Sequence, residues 1–500
     1  MTFSKLGGIY YTETYEINKL DYGGSIPCFI GRTINPNKDY NAIATKQLKD
    51  AYTGNEENWT PQSSDVTAKA TELKTADLAK HKINELQLFT NFEQVNKSTL
   101  TDGKLDGLGD WETEKEENPL LNFLHDFCEE TKMMTEEYVA CPYFYVIDLG
   151  MADDISDWIS SIETSKIKKE IDFEVYIGFE GVTDKKITSG SNVVNFEDFI
   201  LAVNYELYVN RQNIGDFRKA FYTELHQYTS TDVASDSSLT LGAYADNKYY
   251  KKNYKTIDAD LIALSKKLTG TNNVYDSYFG TNTTTGELDN ITHLTTNTIS
   301  KSRTYLIEPL WYGKTVGRIS ITPYDMEPGY YAYNTLTVDD IILRRPKERL
   351  QLQVGGVIFN QLEETSTEEY VKINRTQAVS SNLVNHPPDS LYQARNLCDE
   401  LLTRLFDICY PQLKNKETET NIGYLQTTVN KIVNDAIADG DFIAPYSVDN
   451  ERKGTFINVQ ESDEDAYDIE LIGMMQPVNC TYSIHIVAQI NDARIKVTTA

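Results

Sequence analysis

The chain has 500 residues, 40% hydrophobic and 24% charged, with only 27 Gly and 14 Pro, a balance that predicts a folded protein of roughly three domains and excludes global disorder or a collagen-like repeat. Its 47 basic and 75 acidic residues leave a net charge of −28, which repels phosphate backbones and anionic membranes, so neither nucleic acid nor direct membrane insertion is expected. No run approaches the ~18 apolar residues of a membrane span and no apolar leader opens the chain, so the mature protein is expected to start here and to be soluble.

In chain order, residues 1–25 read as an extended N-terminal arm: GGIYYTETYEI alternates, with Ile9, Tyr11, Tyr15 and Ile17 on one side, and the turn-rich NKLDYGGS follows. Residues 26–34 and 84–221 read as an α/β core interrupted by a polar insertion at about 35–83, with a helix expected near Thr67 to Lys82. Within that core, CPYFYVIDLG (141–150) and IDFEVYIGFEG (171–181) are apolar strand-like runs. Between them Ile155, Trp158, Ile159 and Ile162 repeat at helical spacing behind Asp153 or Asp154 as cap, the strand–helix–strand signature of parallel pairing. Another helix is predicted after Asn195, with Phe196, Phe199, Ile200, Val203 and Leu207 on one face.

Residues 222–297 are Tyr-, Thr- and Asn-rich and read as a surface insertion of short irregular elements, after which core-like patterning resumes over 298–379. Beyond Pro387 and Pro388, a C-terminal domain spans 380–490. Leu391, Ala394, Leu397, Leu401, Leu405 and Ile408 mark a helix capped by Asp389 and stopped by Pro411. A second helix runs from 422 to 439, with Leu425, Val429, Ile432, Val433 and Ala436 inward and Gly440 at its end. AYDIELIGM and TYSIHIVAQI then read as two strands joined by a hairpin-sized connection, followed by a tail at 491–500. The fold class is therefore mixed α/β or α+β: several domains, a mixed sheet flanked by helices, extended strand arms at both ends, and surface insertions.

Motifs for chemistry are sparse. WYGKTVG (311–317) holds the Gly-Lys-Thr of a phosphate loop, but Glu308 stands where the first glycine belongs and would oppose a phosphate, so it reads as a loop ahead of a strand. The six histidines (His81, His125, His226, His293, His386, His485) do not form a metal-ligand spacing, and the acidic runs do not follow the order of a calcium loop; no metal or other cofactor is expected. There is no GxSxG elbow, Asp148 is an acid without an identifiable partner, and Tyr249, Tyr250 and Tyr254 fit packing better than ring stacking on a ligand. The six cysteines lie far apart in apolar surroundings and read as reduced core thiols. What stands out are strand-like ends, whose backbone groups must pair with the body of the chain or with another copy.

The order of elements resembles the tail sheath proteins of contractile phage tails and contractile injection systems. The resemblance is carried by GGIYYTE (7–13), IPCFIGRT (26–33), LFTNFEQVNK (88–97), NPLLNFLHDFCEE (118–130), LQLQVGGVIF (350–359), VKINRTQAV (371–379), and the C-terminal order RNLCDELLTRLFDICY, NIGYLQTTVNKIVNDAIADGDF, GTFINV and the last two strands; it covers about 300 residues. Gly7 replaces the usual Pro, and the tail NDARIKVTTA extends past the usual final strand. The resemblance implies a non-enzymatic subunit that polymerises helically around a tail tube and contracts. Its partners would be further copies of itself, the tube protein, and baseplate and tail-terminator proteins, in a virion tail or contractile particle assembled in the host cytoplasm. It implies that Ile9, Tyr11, Tyr15, Ile17, Tyr482, Ile484 and Ile486 lie on arm strands donated between subunits, and that the C-terminal domain faces the tube, with Arg404, Lys414, Lys416 and Lys431 as contacts. Another virion component, such as a baseplate or tube-linked protein forming rings, remains open, as does an acidic secreted carbohydrate-binding protein with Tyr-rich loops.

Overall fold

In the first part of the chain, the short apolar runs at 27–31, 144–148, 173–177, 219–222 and 304–307 become strands buried on both faces. The computed structural model describes residues 24–52, 59–132, 141, 143–168, 170–183, 193–210, 216–269, 303–324, 326–333, 335–364, 369–379, 391–409, 419–448, 451–461, 469–478, 484–489 and 494–499. The chain divides into two compact units at Pro387, with Tyr324–Glu327 belonging to the second. The first unit runs β1 (Pro27–Gly31), α1 (Tyr40–Asp50), α2 (Ser63–Lys80), β2 (Leu86–Phe89), α3 (Pro119–Thr131), β3 (Phe144–Asp148), α4 (Ile155–Ser165) and β4 (Phe173–Ile177). It continues through α5 (Phe196–Asn204), β5 (Lys219–Tyr222), α6 (Asn247–Thr269), β6 (Thr304–Ile307), α7 (Tyr312–Ile321), α8 (Pro346–Gly355), β7 (Val357–Ile358), β8 (Asn360–Glu364) and β9 (Glu369–Ile373).

Seven strands form one mixed sheet in the order β2-β3-β1-β4-β5-β6-β7, parallel throughout except for antiparallel β2 at one edge. The strand–helix–strand unit expected at 141–181 is present, but β3 and β4 do not pair with each other. Both pair with β1, which lies between them in register Gly31↔Asp148 and Gly31↔Ile177. Sequence could not show this, because the strand that separates them is more than a hundred residues earlier than either. The order places a topological switch at β1, where the chain leaves to one side and returns on the other.

One face of the sheet packs against α4 and α5. Trp158, Ile162, Phe199 and Val203 meet Ile30, Ile147, Tyr176 and Tyr222, and Phe179 stacks on Phe199 at 4.2 Å. Of the two acids offered as cap of α4, Asp154 takes the role and accepts from Ser156 N–H, and Asn195, after which a helix is expected, caps α5 by accepting from Asp198 N–H. The other face is aromatic. Phe29 points opposite to Cys28 and Ile30, as strand alternation requires, and meets Phe127, Phe123 and Phe144 with ring centroids at 4.7, 5.2 and 5.7 Å.

Two sequence expectations are corrected. WYGKTVG is not a loop ahead of a strand: residues 312–321 are helix α7, packed on α3. Gly313 and Gly317 lie four apart on one helix face, and a Cβ at Gly313 would stand 2.4 Å from Phe123 O, so the glycines serve close helix approach. The tyrosine-dense KYYKKNYK is not an irregular element but the start of the 23-residue α6. Tyr250, Leu261, Leu264 and Leu268 are buried along it, and Asp258 binds Arg344 through both carboxylate oxygens at 2.8 Å. Lysines dilute the apolar periodicity, which hid it.

The second unit contains α9 (Tyr392–Cys409), α10 (Glu419–Ala438), a small pair of strands at Tyr446–Val448 and Glu451–Lys453, then β10 (Phe456–Glu461), β11 (Ile469–Met474), β12 (Ile484–Gln489) and β13 (Arg494–Thr499). Leu397, Leu401 and Leu405 pack with Leu425, Val429, Val433 and Ala436, the faces that helical spacing identifies, and Gly440 adopts φ +89° after α10. Asp389 and Pro411, the expected cap and stop of the first helix, lie outside the described residues. The strand pairing differs from the expected terminal hairpin: β11 pairs antiparallel with β10, and β12 pairs with β13, which the sequence leaves within a tail. RIKVTT alternates as a strand does, but its six residues follow what reads as a finished hairpin.

Candidate functional site

The elements expected to join subunits are strands, so their edges are the first candidate. Ile9, Tyr11, Tyr15, Ile17 and Tyr482 lie outside the described residues, while Ile484 and Ile486 stand on β12 opposite Thr499 and Val497. In the second unit β10–β11 and β12–β13 are both two-stranded, and among the described residues neither gains a third strand. An isolated two-stranded ladder is marginal in water and needs a covering face or another strand. β10 has the covering face: Ile457 and Val459 are buried in the cluster built on α9 and α10.

The two edges of β10–β11 differ in a way no sequence motif announces. Gln426 of α10 donates its amide to Ile457 O at 3.0 Å and accepts from Val459 N–H at 2.7 Å. A residue's carbonyl and the N–H two places on point to the same side of a strand, so this side chain occupies the place of a neighbouring strand along the middle of β10. No side chain among the described residues caps β11 in that way, and Leu471 and Met474 on it are exposed. Among the described residues, β11 is therefore the edge of this ladder without such a cap.

Of the four charged residues expected to touch a tube, two lie among the described residues. Arg404 lies on α9 with its guanidinium 3.0 Å from Glu400 one turn earlier, a half-exposed pair. Lys431 is exposed on α10, and Lys414 and Lys416 fall outside the described residues. A surface pair of the Arg404–Glu400 kind contributes at most about 1 kcal/mol and leaves the cation available to a better partner.

Elsewhere the structure holds buried polar clusters. Asp148, at the end of β3, accepts from Thr33 Oγ1 at 2.6 Å and from Gly150 N–H at 2.7 Å, and bonds His81 Nδ1 at 2.6 Å. The acid that looked partnerless in sequence thus ties β1, the end of α2 and β3 together. His81 and Thr33 also line a cavity of about 220 Å³ with Asn35, Asp77, Glu114 and Asn118. Arg318 pairs with fully buried Glu130, which accepts from Thr335; Arg344 joins Asp258 and Glu308; Arg218 joins Glu174, itself bonded by Tyr176. Glu308, which argued against a phosphate loop, is thus committed to Arg344 and to Asn360 N–H. These pairs cross-link helices and strands; breaking one by removing a single partner costs about 3–5 kcal/mol, because it strands a buried charge.

Among the described residues, one grouping has metal-ligand composition: His125, Asp126 and Glu129 on α3. Lys314 Nζ lies 3.1 Å from Glu129 and supplies the positive charge there, while Trp111 stacks on the His125 ring at 3.9 Å. The arrangement is complete as an ion-paired, ring-stacked surface cluster. Cys28, Cys128, Cys141 and Cys398 are buried, and burial pushes the Cys128 thiol well above its ordinary range, which keeps it protonated and unreactive.

No protein-family model matches the chain, and no curated protein sequence does. Among solved structures, the chain is similar to one from the cryo-EM structure of the anti-feeding prophage (AFP) baseplate, at 9% identity and a TM-score of 0.47, covering 94% of this chain and 93% of that one. It is also similar to one from the extracellular contractile injection system PVC sheath complex in its contracted state, at 8% identity and a TM-score of 0.42, covering 75% of this chain and 80% of that one.

Proposed function

We propose that this protein is a structural, non-enzymatic subunit of a contractile tail sheath, polymerising head to tail around a tail tube in a virion tail or contractile particle. The observation that carries the reading is the two-stranded β10–β11 ladder, covered on one face by α10, capped along β10 by Gln426 and, among the described residues, open along β11. An open strand edge beside exposed apolar side chains can accept a further strand by β-augmentation, and the alternating sequence at Ile9–Ile17 has the pattern and length of a strand that could be donated. A heterologous contact of this kind, repeated without closing, makes a helical filament. Backbone pairing also suits a chain of net charge −28, since it holds copies together without requiring opposite charge. Arg404, Lys414, Lys416 and Lys431 would serve as weak, repeated contacts to the tube, and baseplate and terminator proteins would bound the polymer. Assembly would take place in the host cytoplasm.

Electron microscopy of the purified chain tests the reading. Long helical polymers support it, closed rings favour a baseplate or tube-linked component, and a monomer that binds glycans would replace it with a carbohydrate-binding protein.

A further inference from the structure

The first unit carries a strongly basic surface on a chain whose net charge is −28. Helix α6 places Lys248, Lys251, Lys252 and Lys255 near its amino end, with no acidic residue in its first turn. Lys248, Lys252 and Lys255 are exposed and Lys251 is half-buried. The chain from 339 to 347 runs beside this part of the helix and is tied to it at two points: Lys251 donates to Asp339 O, and Arg344 binds Asp258. Between these ties Leu343 is 63% exposed, and Arg345 and Lys347, directly after them, are exposed too. Two basic stretches remote in sequence are thereby held side by side.

This arrangement is unfavourable within one copy. Lys248 and Lys252, and Lys251 and Lys255, are like charges four residues apart on a helix, and such pairs repel. The helix dipole also opposes cations toward the amino end. Among the described residues, none of these six cations makes an ion pair; Asp236 and Asp340 act on the helix lysines only through space. Glu348, the acid within the second stretch, is spent on Arg345 N–H at 2.8 Å. With 75 acidic residues against 47 basic ones, an exposed face of average composition would be acidic. A repulsion borne inside one copy is relieved when an acidic surface covers the lysines.

We propose that the face formed by Lys248, Lys252, Lys255, Arg345 and Lys347, with Leu343 among them, docks against an acidic surface of a second copy of this chain. The inference rests on the reading of the chain as a subunit that assembles with its own copies, and it is separate from strand donation along β11. Charge complementarity selects this occupant. At a net charge of −28 every further copy offers acidic surface, and without a local basic face the mutual repulsion of copies opposes assembly. A nucleic acid or an anionic bilayer would extend past the patch and meet the acidic remainder of the chain. The basic face and its acidic target are different surfaces, so the contact is heterologous, the kind an open polymer requires. Exposed Leu343 gives it an apolar centre within a charged rim.

Zero-length carbodiimide cross-linking of a mixture of unlabelled and isotope-labelled full chain tests the proposal, because it joins amines only to carboxyl groups in contact. The expected products link Lys248, Lys252 or Lys255 to an Asp or Glu of the other isotopic copy. In sedimentation, Lys252→Glu with Lys255→Glu and Arg345→Glu should weaken association about tenfold at low salt and less at about 0.5 M salt. A control reversal of exposed Lys46, Lys49 and Lys74, on α1 and α2, should weaken it less. Cross-links from these lysines confined to one copy, or equal weakening by both triple variants, would overturn the docking. Helical polymers without those cross-links overturn the docking alone and leave the sheath reading standing. Small salt-sensitive oligomers that carry the cross-links, without helical polymers, support the docking and remove the sheath reading.

Discussion

Replacing Gly313 by alanine separates a helix-packing role from a phosphate-loop role. The new Cβ would lie 2.4 Å from Phe123 O and 2.8 Å from Asp126 Cβ, both on α3, one contact being backbone that cannot turn aside. Helices α3 and α7 must then part by about 1 Å, and overpacking of this kind costs about 1–3 kcal/mol or more. Helix propensity returns about 0.8–1.0 kcal/mol for Gly to Ala, so with the backbone contact placing the cost at the top of that range the net loss is about 2 kcal/mol. Gly317→Ala meets Glu130 Cβ at 3.0 Å and Phe127 O at 3.1 Å and should lose less, about 1 kcal/mol. Gly423→Ala, in α10 with nothing within 4 Å, should gain about 0.5–1 kcal/mol. Urea unfolding read by hydrogen exchange in each unit gives the three values separately. A neutral or stabilising Gly313→Ala would refute the packing argument.

Burial raises Glu180 from 4.5 to about 7, against the lowering effect of Leu225 N–H and Arg32 and with Glu224 adding to the rise. The folded state therefore holds this proton more tightly than the unfolded chain. The stability it supplies is full below about pH 4.5 and is lost as pH rises through about 7, by about 3 kcal/mol at most. Glu180→Gln should flatten that loss between pH 5 and 8 in urea titrations, and an identical slope in both proteins would exclude the assignment. Gln426→Ala removes two hydrogen bonds from β10 and should cost the second unit about 1–2 kcal/mol while assembly through β11 persists. Loss of assembly with an intact fold would move the accepting edge to β10. Lys414→Glu with Lys416→Glu should weaken tube-templated assembly most at low salt and spare the fold, measured by sedimentation with purified tube; equal assembly at low salt would remove the tube contact.

Much of the fold was legible in the sequence, where one stretch carries its own reason. Helices α4, α5, α9 and α10 show their buried faces as residues three and four apart, and Asp154 and Asn195 are caps by local chemistry. What escaped depends on distant partners. The seat of β1 between β3 and β4, the role of Gly313 against Phe123, and the burial of Tyr250 and Asp258 on α6 follow from neighbours tens to hundreds of residues away. The same holds for the candidate site. Alternation marked TYSIHIVAQI as a strand, but not that β13 pairs with it, and nothing near Gln426 indicates that its amide closes a strand edge. The Arg404–Glu400 pair is one turn long and was readable in principle from spacing alone.

If copies of this chain join through donated strands, the N-terminal arm is needed for assembly and not for folding. Cryo-EM of the full chain beside a variant lacking residues 1–20, with circular dichroism to verify that both are folded, separates the two roles. Long helical polymers are expected from the full chain, with an added strand along β11, and folded monomers from the truncated one. Equal polymers from both, or a full-chain map with β11 unpaired, would contradict strand donation.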